Sequence, residues 1–183
     1  MSIAEQSESI ALSMAELREV TAYALACADP AVPLFERECP DDPRVRAVVE
    51  QARAFAAGGK RTKAIRVTAL AAHRAAWAAA AHGRPIAAAA AHAAGATGSS
   101  AYLHPLAKAT QVWHILGAAA YTAAALELAA GGDESVGTAY LDTARELAGP
   151  FLIGVLSRYP RAPGGRGRAG ELVRSLDHAL RAG

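Results

Sequence analysis

Residues 101–130 read AYLHPLAKATQVWHILGAAAYTAAALELAA. Lys108 is the one charged side chain in this run before Glu127. Pro105 and Gly117 are the only residues in it that resist a helix. A helix that is apolar nearly all round has to be surrounded by other helices. The stretch therefore predicts a buried central helix over about 99–130, bent at Pro105.

The rest of the chain supplies what surrounds it. Of 183 residues 49 are Ala, and 52% are hydrophobic. Alanine has the highest helix propensity, and its small side chain lets helices approach closely. Runs of alternating β-branched residues are missing, so no sheet is expected. The predicted fold is all-α: a single-domain, Ala-rich bundle of about eight to nine helices around the central one, over 13–183, preceded by a mobile lead-in over 1–12.

Punctuation in the sequence sets the helix ends. Ser13 and Glu16 form a capping box opening a helix over 14–28, which Asp29-Pro30 stops. A short helix over 31–38 follows. Asp42 and Pro43 open a third, closed after Ala57 by Gly58-Gly59. The fourth is expected over 60–81 and the fifth over 85–94, with Ser99 and Ser100 read as caps of the central helix. Gly131-Gly132 ends that helix, and Asp133 caps a seventh reaching Ala148. Helices over 151–159 and 168–180 complete the set, separated by the basic loop PRAPGGRG (160–167).

Net charge is only +2, but it is unevenly spread. Residues 1–50 carry ten acids and four bases. Residues 51–126 carry eight bases (Arg53, Lys60, Arg61, Lys63, Arg66, Arg74, Arg84, Lys108) and no acid. The last 57 residues balance. Lys60, Arg61 and Lys63 cluster at a helix N-terminus, which already favours anions. Their charge is met either by the acidic residues 1–50 docking on them or by an external partner. An acidic surface including Glu36, Glu38, Asp41 and Asp42 is the alternative partner face, suited to a basic target.

Two side-chain strips carry the remaining chemistry. On the central helix His104, Lys108, Gln111 and His114 fall within an arc of roughly 120°, which makes either a solvated edge or a ligand-binding strip. On the fourth helix Thr62, Arg66, His73 and Trp77 share a face, with Trp77 assigned to the core and Arg66 and His73 either half-buried and hydrogen-bonded to carbonyls of a neighbouring loop or lining a crevice beneath it. No metal site is expected: the chain has no His-x-x-His, Glu-x-x-His or Cys-x-x-Cys spacing. No nucleophile with a base and no phosphate-binding glycine loop is evident, so no catalytic residue and no cofactor is assigned. With aromatics at 5%, nucleic acid is not the expected partner. Residues 115–126 are read as too short for a membrane span. Two cysteines, Cys27 and Cys39, make no disulfide framework, and the opening residues lack a secretory pattern. A cytoplasmic protein with reduced thiols is expected.

Several segments together carry a family likeness: LSMAELREV, LFERECPDDPRVR, ARAFAAGGKRTKAIR, AAHRAAWAAA, YLHPLAKATQVWHILGAAAYTAAALELA and RYPRAPGGRGRAGELVRSLDHAL. They resemble an actinobacterial family of small immunity proteins belonging to bacterial polymorphic toxin systems, over about residues 12–181. The resemblance implies a cytoplasmic helical protein that binds and neutralises a toxin, and it brings no catalytic residues with it. An exonuclease activity attributed to some relatives is rejected, because this chain has neither an ATP-binding loop nor an acidic metal cluster. Two other functions stay open from the residues themselves: a small-molecule or anion binder, or enzyme, using the two strips, and a homo-oligomeric scaffold.

Overall fold

The computed structural model describes residues 9–183. Of the lead-in 1–12, residues 1–8 lie outside the described residues. Residues 9–12 run beside the 105–106 segment, with the Ile10 N–H donating to the Pro105 carbonyl at 2.9 Å and an isolated bridge between Ser9 and Leu106. Among the described residues there is no sheet. Nine α-helices follow one another: α1 Met14–Ala28, α2 Val32–Glu38, α3 Arg44–Ala56, α4 Lys63–Ala81, α5 Pro85–Ser100, α6 Val112–Ala129, α7 Glu134–Leu147, α8 Pro150–Leu156 and α9 Gly167–Ala182. Short 3-10 turns at Asp29–Ala31 and Ala109–Gln111 lead into α2 and α6. The capping box at Ser13 and Glu16 is formed, as is the Asp133 cap.

The centre differs from the expectation in one respect. The predicted helix over 99–130 is α6 alone, and it begins at Val112. Ser99 and Ser100 do not cap it; they are the last turn of α5, which runs on six residues past Ala94. The cause is local chemistry. Pro105 has no N–H to donate and disfavours a helical His104 before it. The chain therefore leaves the helix at Ala101, and its backbone groups are satisfied by other partners. The Gln111 side chain accepts from the His104 N–H at 2.8 Å, and the Tyr159 hydroxyl donates to the His104 carbonyl at 2.8 Å.

The longer α5 makes the core a pair of helices. α5 packs against α4 and α6, and also meets α1, α2 and α3. α6 packs against α5, α1, α7 and α9. The run Ala109–Ala129 contains an 18-residue stretch whose length and mean hydropathy of 1.3 suit a membrane span, more than residues 115–126 alone suggest, yet 72% of that stretch is buried inside the protein. It behaves here as a core helix. Two hydrophobic clusters result. One joins α6 to Leu17, Val20 and Tyr23 of α1, to Leu152 and Leu156 of α8, and to Leu172, Val173 and Leu176 of α9. The other is built almost wholly of alanine from α4 and α5, together with Phe35, Val45 and Val48.

Several polar groups inside the core are paired across helices. The Ser100 hydroxyl donates to the Thr97 carbonyl at 2.6 Å and contacts the Thr21 hydroxyl at 2.9 Å, tying α5 to α1. Glu127, 4% exposed, is held by Arg168 through bonds at 2.7 and 3.0 Å, which fasten α9 onto α6. The Glu127 side chain occupies the space that any Cβ on Gly137 would need. A lone buried carboxylate would be costly, and the guanidinium removes that cost.

Close packing at α5 has a direct test. A Cβ on Gly98 would lie 2.5 Å from Val48 Cγ2 and 2.9 Å from Ala69 Cβ, whereas one on Gly154 of α8 meets nothing within 4 Å. Gly98→Ala is expected to destabilise the fold by about 1–3 kcal/mol through overpacking. Gly154→Ala is expected to stabilise it by about 0.5–1 kcal/mol, since alanine loses less backbone entropy in a helix. Denaturant midpoints of the two variants would move in opposite directions; equal shifts would contradict the packing described.

Candidate functional site

Where α4, α5 and α6 meet, a cleft of about 520 Å³ opens to solvent. Leu70, His73 and Trp77 line it from α4, His92, Ala96 and Ser99 from α5, and Trp113, His114 and Tyr121 from α6. Thr110 and Gln111 at the start of α6, and Arg166 from the loop before α9, complete the wall. A smaller hollow of about 300 Å³ shares Leu70, His73, Ser99 and His114 with it and adds Arg66, Ala69 and Tyr102.

The rings reach the cleft because α5 is thin beneath them. The His73 imidazole lies where a Cβ on Gly95 would stand, 2.7–2.8 Å from it. His73 Nδ1 and His92 Nδ1 are 3.0 Å apart, so one donates and the other accepts. His92 stacks on Tyr121 with centroids 5.0 Å apart, and Tyr121 adjoins Trp113 at 5.6 Å. Trp77 stands edge-on to His92 at 6.4 Å. The Arg166 guanidinium lies 4.6 Å from the Trp113 ring centre, and that of Arg66 4.3 Å from the Tyr102 ring centre.

Arg166 holds its place at some expense. Its φ is 63°, the one positive value outside glycine among the described residues, between Gly165 and Gly167. A side chain in that region costs about 1 kcal/mol or more and persists only where the surroundings impose it. Beneath the guanidinium, the buried Trp113 Nε1 has no hydrogen-bond partner among the described residues.

The imidazoles are kept neutral. Burial, then the neighbouring His92 and His114, push the His73 pKa down to about 4. Burial lowers His92 as well, and lowers His114 against an opposing contact from the Ser99 backbone. A base so weak abstracts protons poorly near pH 7. No carboxylate lines the cleft to orient these rings, and among the described residues no group of three or more His, Cys, Asp or Glu is gathered for a metal. The buried Cys27 thiol is pushed up to about 12, which leaves it unreactive. The arrangement suits binding: flat π surfaces, neutral donors and acceptors, and two cations at its edges.

The structure brings part of the two sequence strips together and separates the rest. His114 and Gln111 face His73 and Trp77 across the cleft. Arg66 lies exposed beside the adjoining hollow. His104 and Lys108 do not share a helical face with His114, because the chain is not helical there; both are exposed in the 101–108 loop. Trp77 is not a core residue. It is 57% exposed, because alanines at 75, 76 and 79 already fill the inner face of α4. His92, Tyr121, Trp113 and Arg166 were not singled out by the sequence, and Ser99 only as a helix cap. A tight α4–α5 turn at His82-Gly83 sets residues whose numbers sum to about 165 side by side, and that rule would have found His92 opposite His73.

The charged clusters are also resolved. Glu36 pairs with Arg46, Asp42 with Arg44, and the Glu38 carboxylate accepts from the Ala87 N–H at the start of α5. Asp41 is exposed. Glu38, Asp41 and Asp42 edge a shallow hollow with Cys39, His82 and Arg84. Arg61 donates to the Ala101 carbonyl and leans over Tyr102, while Lys60 and Lys63 are exposed. None of the eight bases of 51–126 forms an ion pair among the described residues, and all eight are exposed. Among the described residues, no acid of 9–50 pairs with them.

A family model described as Imm-5 like putative immunity protein matches residues 11–148. The chain belongs to that family. The match spans α1 to α7 and thus every wall of the cleft except Arg166. No curated protein and no solved structure matches the chain.

The depressed histidines make stability depend on pH. The unfolded chain takes up a proton at His73 near pH 6.5, whereas the folded chain resists until about 4. Stability from this group is therefore full above pH 6.5, is lost as pH falls toward 4, and changes no further below it. The His73 share is about 2 kcal/mol, less than the full shift implies, because the ring is partly solvated. Chemical denaturation at pH 7 and pH 4.5 should show a smaller loss in His73→Gln than in the native chain by about that amount. An identical loss would mean His73 is not held neutral.

Proposed function

We propose that this protein is a non-catalytic immunity protein that binds and neutralises a toxin through the outward face of α4. Family membership supports the immunity role. One observation carries the choice of surface. Lys63, Arg66, Val67, Leu70, Arg74 and Trp77 fall within a ~100° arc of α4, and every one is exposed. Val67, Leu70 and Trp77 are 54%, 44% and 57% exposed. Exposed tryptophan and arginine set among aliphatic side chains is the composition of binding hot spots.

The uncompensated charge indicates what meets this face. A stripe of bases with no carboxylate among them complements an acidic patch on the partner, and speeds its encounter. The Glu36, Glu38 and Asp42 surface is the weaker candidate, since its carboxylates already have partners. A polymorphic toxin pairing belongs to the same reading, as does a cytoplasmic location, with which the free thiols of Cys27 and Cys39 agree.

The test is co-expression with candidate toxin domains drawn from the products of neighbouring genes, scored as host survival and as complex formation on purified components. Survival and a stoichiometric complex are expected. Trp77→Ala should weaken the complex by ~30-fold or more, as loss of a central hot-spot residue does. Arg66→Glu with Arg74→Glu should slow association most strongly at low salt. Absence of both rescue and complex would defeat the immunity reading; a complex indifferent to all three changes would move the interface off α4.

A further inference from the structure

We propose that the cleft between α4, α5 and α6 is a binding site for a small planar aromatic carboxylate. The inference goes beyond toxin binding and does not rest on it. Three independent features of the cleft converge on this ligand class.

The first is shape and surface. A volume of about 520 Å³, extended by the adjoining hollow of about 300 Å³, falls in the range of small-ligand pockets. Half of its lining residues are rings: Trp77, Trp113, Tyr121 and three imidazoles. Flat π surfaces at stacking distances favour a flat ligand, which offers them its faces or edges.

The second is charge. Neither the cleft nor the hollow is lined by a carboxylate, whereas the hollow near Glu38 holds three acids, Glu38, Asp41 and Asp42. Arg166 guards one side of the cleft and Arg66 the neighbouring hollow. Thr110 and Gln111 mark the N-terminal end of the 18-residue α6, whose dipole adds partial positive charge there. Two peripheral guanidiniums and neutral imidazoles suit a single negative charge. A guanidinium meets a carboxylate through two parallel bonds, and the imidazoles can donate or accept beside it.

The third is the state of Arg166 and Trp113. Arg166 sits in a left-handed conformation that places its guanidinium over the indole. A strained residue at the edge of a pocket is where function commonly resides. Below it, Trp113 is 8% exposed and its Nε1–H is unpartnered. A buried donor without an acceptor is uncommon, and a ligand carboxylate that shifts Arg166 would supply one.

The chain reports on this site by itself. It contains two tryptophans, and both line the cleft. Titration with indole-3-carboxylate and benzoate, followed by intrinsic fluorescence and calorimetry, is expected to give saturable binding below about 1 mM. Neutral indole should bind about tenfold more weakly, and inorganic phosphate should give no saturable signal. Arg166→Gly suits the left-handed backbone and removes the guanidinium, so it should fold normally yet weaken the carboxylates about tenfold while leaving indole unchanged. Arg66→Gln, on an exposed face of α4, serves as a second variant with a smaller loss expected. No saturable response to either carboxylate would overturn the proposal. So would equal affinity for indole, or affinity unaffected by Arg166→Gly in a protein whose circular dichroism matches the native chain.

Discussion

Everything in this molecule depends on how near α5 can lie to the helices around it. Its buried face is made of alanine, glycine, serine and threonine, so its backbone comes almost into contact with α4 and α6. Dispersion between closely spaced backbones and methyl groups replaces what larger side chains supply elsewhere. Gly98 shows how little slack is left, with Val48 and Ala69 occupying the space of a single missing methyl. The large apolar residues gather on the other side of α6, against α1, α8 and α9. The core is thus graded, from small side chains at α5 to Leu, Ile and Phe around α6.

The cleft is a product of that gradient. At Gly95 and Ala96, α5 gives the α4 and α6 side chains almost nothing to pack on. Large rings from those helices lean across the gap and leave a cavity between them. Their polar atoms satisfy one another in part, as His73 does with His92, and the low dielectric around them keeps them uncharged. The same thinness explains Trp77. With the inner face of α4 filled by alanines, the indole is left on the outer edge, between the cleft and the charged stripe.

The fold class was legible because alanine content, caps and the acid-free run all pointed the same way. Helix ends marked by glycine pairs or by Ser13 and Asp133 were read to within a residue or two. The junction of α5 and α6 was not, since Ala101 to Lys108 is as apolar as a helix, and only Pro105 hinted that the chain leaves one there. The strip containing His104 and Lys108 failed with it, as helical spacing has no meaning in a loop. The other half of the cleft was hidden for a different reason. His92 and Tyr121 look like ordinary core residues until the pairing of α4 with α5 is known, and the role of Arg166 rests on a backbone angle that its glycine neighbours permit but do not announce. The charge imbalance was visible from the start; that the eight bases form no ion pair among the described residues was not.

The separation of small interior from decorated exterior on α4 has a bearing on how such a chain changes over time. Side chains at 63, 66, 67, 70, 74 and 77 point away from the alanine seam, so replacing them leaves the packing of the seam itself undisturbed. Adding even one carbon to the seam itself displaces a backbone. Under the proposed role of α4, recognition can therefore drift while the scaffold stays fixed, because one helix face can be repainted without refolding anything beneath it.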